Sequence, residues 1–123
     1  MRRPSLSALG ALALLAACTT EPGRAYLVFF PTDETTLTPD AQGVVQDVVK
    51  AAKESHSAHV VVQGEADGST AHDADLAYKR GALVTEALLQ AGLDPARVEQ
   101  QPGAPGPQEK GVMAHKVVVT LTR

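Results

Sequence analysis

The chain has no tryptophan, two phenylalanines, two tyrosines and one cysteine among its 123 residues. A lone cysteine excludes a disulfide framework, and a free thiol would be an oddity in an oxidising compartment. Positive charge is not in excess: 11 Lys and Arg stand against 14 Asp and Glu, a formal charge of −3. That balance gives no footprint for nucleic-acid binding. The longest apolar run, Leu6 to Ala17, is too short to span a bilayer stably. No serine sits in a nucleophile elbow and no nucleophile–base pair is evident, so catalysis is not expected and no cofactor is implied. His72, Asp73, Asp75 and Asp67 cluster, but their spacing fits neither a zinc site nor a calcium loop. His56, His59 and His115 are scattered and expected at the surface.

The N-terminus carries information of its own. Arg2 and Arg3 precede the apolar run, the pattern of an export signal. Leu15-Ala16-Ala17-Cys18 resembles the lipobox of bacterial lipoproteins, in which the cysteine is lipidated and becomes the first mature residue. Cleavage there would remove 17 residues, including two arginines and no acids. It would leave 106 residues with 9 basic and 14 acidic side chains and a charge of −5. Attachment to a membrane would then rest on covalent lipid rather than on charge. Thr19, where an aspartate would retain the protein in the inner membrane under the enteric export rule, favours the outer membrane. The expected organisation is a signal peptide over 1–17, a lipidated tether over 18–25 and one domain over 26–123.

Within the domain, Tyr26 to Phe30 is a β-branched and aromatic run that holds both phenylalanines, and it predicts a first strand. Thr38-Pro39-Asp40 is a helix start: a hydroxyl cap, proline at the first helical position, then an acid. Val44, Val45, Val48, Val49 and Ala52 form the stripe of that helix. Val60 to Val62 predicts an inner strand ended by Gly64. A polar turn leads to a second helix closed by Gly92 and Pro95. Val98 and its neighbours suggest a short strand, Pro102 to Gly111 a loop, and His115 to Thr122 the last strand. The order β-α-β-α-β-β predicts an α/β, or α+β, sandwich with both helices on one face of a mixed sheet.

In the second helix, Leu76, Leu83, Val84, Ala87, Leu88 and Ala91 define an apolar face. Arg80 falls on the centre line of that face, and Asp73 points nearly the same way two turns earlier. A guanidinium aimed inward needs an acceptor, because an unpaired buried charge costs several kcal/mol. Asp67 and Asp73 are the nearby acids. An arginine beside a carboxylate suits a ligand bearing both a carboxylate and an ammonium. The spacing alone serves an internal ion pair equally well.

Gly64-Glu65-Ala66-Asp67, followed by Asp73-Ala74-Asp75-Leu76-Ala77-Tyr78-Lys79-Arg80, resembles the OmpA-like peptidoglycan-binding domain, with its G-x-x-D turn and its N-x-x-L-S-x-R-R-A helix start. Val28-Phe29-Phe30 and Leu37-Thr38-Pro39-Asp40 are similar to that family's opening. The likeness runs from about Tyr26 to Arg123. Asp73 replaces Asn, Ala77 replaces Ser, Lys79 the first Arg and Gly81 the Ala, and Ala114-His115-Lys116-Val117 stands for N-R-R-V. With the lipobox, the resemblance implies a peptidoglycan-associated-type lipoprotein of the outer membrane, facing the periplasm. It implies that Asp67 and Arg80, with Asp73 beside them, clamp the diaminopimelate of a stem peptide. The alternative is a degenerate member that serves as a protein-interaction or assembly module, with Arg80 held internally.

Overall fold

The computed structural model describes residues 23–31, 34–55, 58–66, 71–105 and 115–122. The elements run β1 (Arg24–Phe29), α1 (Pro39–Glu54), β2 (His59–Ala66), α2 (Ala71–Gln90), a 3₁₀ turn (Pro95–Arg97), β3 (Val98–Pro105) and β4 (Lys116–Thr122). The strands lie in the order β1-β4-β2-β3. β4 is antiparallel to both of its neighbours, while β2 and β3 are parallel. The predicted mixed sheet with two helices is the observed architecture.

Strand alternation explains the layering. Val28, Val60, Val62, Val117 and Val119 are buried on one face of the sheet. Val45, Val48, Val49 and Ala52 of α1 and Val84 and Leu88 of α2 join them in a single core. Both helices therefore cover the same face. Thr38 caps α1 by accepting a hydrogen bond from the Ala41 amide at 3.1 Å, with Pro39 at the first helical position. Gly92 closes α2 with φ of +101°. The Leu93 amide bonds back to Leu88 O and the Gly92 amide to Leu89 O, the reciprocal pair of a Schellman end.

Two boundaries differ from expectation. Gly64 lies inside β2 rather than ending it. A methyl there would meet the Ala77 carbonyl oxygen at 2.0 Å, so the missing side chain is what lets α2 press onto the strand. β3 continues through Pro102 and Gly103, where the composition predicts a loop. It is an edge strand, where a missing N–H is tolerated. The pairing register shifts between Gln63 and Glu65, and the Gln63 side-chain amide donates to Pro102 O at 3.0 Å.

Candidate functional site

The end of the sheet where β1 finishes and β4 begins is organised by Arg80. Its position follows from α2's register: Ala77, Arg80, Val84 and Leu88 are all buried. Gly64 draws this part of α2 close to the sheet, so a long side chain from position 80 reaches past the core to its border. Arg80 as a residue is only 2% exposed. Its Nε donates to Glu34 O at 2.9 Å and its Nη2 to Pro31 O at 3.1 Å. Nη1 lies 3.4 Å from His115 Nδ1, and Cζ stands 5.5 Å from the centroid of the Phe30 ring. Donation by Nη1 requires Nδ1 to be the unprotonated ring nitrogen, with the imidazole proton on Nε2.

The arginine thus binds backbone carbonyls from the segment between β1 and α1. Asp73 is half-buried on the same face of α2, seven residues and about 10 Å along the axis from Arg80. Asp67 and Cys18 lie outside the described residues. His115 is half-buried against Arg80 rather than at the surface. The signal for it was present, since β4 alternates and position 115 shares the parity of the buried Val117 and Val119.

Two further charged contacts were not anticipated. Lys116 Nζ lies 3.4 Å from Glu65 Oε2 on the sheet face away from the helices, with the side chains 8% and 18% exposed. That contact is ionic without hydrogen-bond geometry, as Glu65 Oε2 is otherwise unsatisfied. Arg97 donates to Ala58 O, Ala52 O and Ser55 O at 2.7–2.8 Å, so a guanidinium closes the C-terminal end of α1. The expected Asp75–Lys79 pair forms at 2.9 Å on the exposed side of α2. Among the described residues no group of acids, histidines and cysteines is placed to hold a metal ion, and no helix is long and apolar enough to cross a membrane.

The fold is shared with solved structures of envelope proteins. The OmpA-like domain of FopA1 from Francisella tularensis matches with a TM-score of 0.66 at 23% identity, over 83% of this chain and 81% of that one. The peptidoglycan-associated lipoprotein of Burkholderia pseudomallei matches at 0.63 and 22% identity, over 79% and 90%. A periplasmic domain of Helicobacter pylori MotB, residues 97–256, matches at 0.67 and 16% identity, over 82% and 83%. No curated protein matches the chain in sequence. Residues 29–112 match the OmpA family, from the end of β1 through α2 and β3, and with this coverage the chain belongs to that family.

Proposed function

We propose that this chain is a non-catalytic envelope protein that binds peptidoglycan non-covalently at the Arg80 end of its sheet, anchored to the outer membrane by lipid on Cys18. The carrying observation is the fixed placement of Arg80. Pro31 O, Glu34 O and His115 preset its guanidinium at the border of the core, on the helix face that also carries Asp73. A preset charge loses little freedom when it meets a ligand carboxylate. Asp67, which follows β2 in the sequence, supplies the acceptor for the ligand's ammonium. Family membership and the likeness to a peptidoglycan-associated lipoprotein support the same reading.

The burial of Arg80 favours a second reading, in which the arginine is purely a clamp for the β1–α1 segment and the domain is a protein-interaction module. Co-sedimentation of the detergent-solubilised protein with isolated sacculi separates the two. The wild type is expected to pellet with the wall. Asp67→Asn should bind at least tenfold more weakly with an unaltered thermal melt. A wild type that stays in the supernatant would reject wall binding and leave the interaction module standing.

A further inference from the structure

The outer edge of β1 is a surface besides the Arg80 end, which it adjoins at Phe30 and Pro31. β1 is the first strand of the sheet order, and among the described residues no strand pairs with its far side. Its register with β4 fixes which backbone groups are left over. The Phe30 amide bonds to His115 O, so even-numbered residues of β1 direct their N–H and C=O toward β4. Ala25, Leu27 and Phe29 direct theirs outward. The strand has none of the usual protection of an edge: no proline, no bulge, and one charge, Arg24, at its start. Phe29 is 36% exposed. Beside its second half runs a groove of ≈ 310 Å³, walled by Leu27, Phe29 and Phe30 on one side and Ala41 and Val44 on the other, with Asp40 at the rim.

We propose that a second copy of this chain fills this groove, its β1 pairing antiparallel with the first across a two-fold axis at Leu27. Three features specify that occupant. First, the symmetric register centred on Leu27 pairs Ala25, Leu27 and Phe29 with one another, so every outward-directed backbone group of the strand is used within β1 itself. Ala25 then faces the partner's Phe29 and Leu27 faces its counterpart, each pair exchanging two backbone hydrogen bonds. Secondly, the side chains alternate in size across the pair, with the exposed Phe29 ring over the small Ala25 of the other copy. Thirdly, the charges match. Antiparallel pairing lays the start of one strand along the end of the other, bringing Arg24 to Phe30 on the helix side, where Asp40 is exposed. Within its own chain Arg24 has Tyr26 and Glu54 as neighbours, which keep it firmly protonated. Parallel pairing would instead set arginine beside arginine. The result is an isologous interface that joins two four-stranded sheets into one.

Disulfide trapping of the full chain in bacterial envelopes tests this. A hydrogen-bonded antiparallel pair places its Cα atoms ~5.5 Å apart, within disulfide range. Leu27→Cys should give a homodimer on oxidation, whereas wild type and Glu99→Cys, on the opposite edge strand, should not. Ala25→Cys and Phe29→Cys should cross-link when co-expressed and not when expressed singly, which checks the register independently of position 27. In the Leu27→Cys background, Arg24→Glu or Asp40→Arg should each reduce the trapped dimer at least fivefold, and the two together should restore it. Absence of the dimer in both cysteine tests, equal trapping at position 99, failure of the charge exchange to restore it, or trapping of a different protein would overturn the proposal.

Discussion

A single arginine decides how the site end of this domain holds together. Arg80 satisfies two backbone carbonyls that lie more than forty residues earlier in the chain, Pro31 O and Glu34 O. Truncation would take the donor from both at a part-buried border of the core. Arg80→Ala is therefore expected to cost about 1–3 kcal/mol in urea unfolding, and Arg80→Lys to recover less than half of that, because an ammonium cannot reproduce the planar fork. Loss of wall binding by Arg80→Ala would on its own say little about ligand contact, which is why Asp67 and Asp73 are the informative positions. The second residue-scale expectation concerns Lys116 and Glu65. Lys116→Met leaves a mostly buried carboxylate uncompensated and should destabilise by roughly 2–3 kcal/mol, discounted for the residual exposure of Glu65. Adding Glu65→Leu should return stability to within about 1 kcal/mol of wild type. A double-mutant cycle with no coupling would mean that the 3.4 Å contact carries no energy.

Among the elements, α1 shows how far sequence alone reaches. Its start was legible because capping is local: Thr38, Pro39 and Asp40 are adjacent and the chemistry needs nothing else. Its end was not. Ser55 carries no C-cap signature, and the carbonyls there are closed by Arg97, some forty residues on in the sequence. Arg97→Ala should cost about 2–3 kcal/mol, with hydrogen exchange quickening first in the last turn of α1. Exchange that quickens evenly over the domain would instead mean that the helix end is stable without its guanidinium. β3 runs on past Pro102 for a related reason. Proline and glycine signal a turn in isolation, but pairing with β2 overrides that signal on an edge strand. For α2, the inward direction of Arg80 could be read from helical period, whereas its bonds to Pro31 O, Glu34 O and His115 could not. Those groups lie between β1 and α1 and just before β4, and only the tertiary fold brings them to it.

For the whole molecule, the proposed anchor makes a direct prediction about where the protein resides. Wild-type protein should fractionate with outer membranes and yield an N-terminal peptide beginning at an acylated Cys18, and Cys18→Ala should accumulate unprocessed or soluble. An unmodified Cys18 in mass spectra would remove the lipid from the proposal while leaving the fold and the family untouched. The topology has a further consequence, in time rather than in space. Among the described residues β4 is the last strand in sequence, yet it lies inside the sheet and is the one strand paired with β1. β1, synthesised well before β4, must therefore wait unpaired until β4 arrives. Its apolar run from Tyr26 to Phe30 stays exposed throughout that interval. Closure of the sheet is then the slow, long-range step of folding. The protein is most vulnerable to aggregation or to capture by a chaperone just before its last strand is delivered.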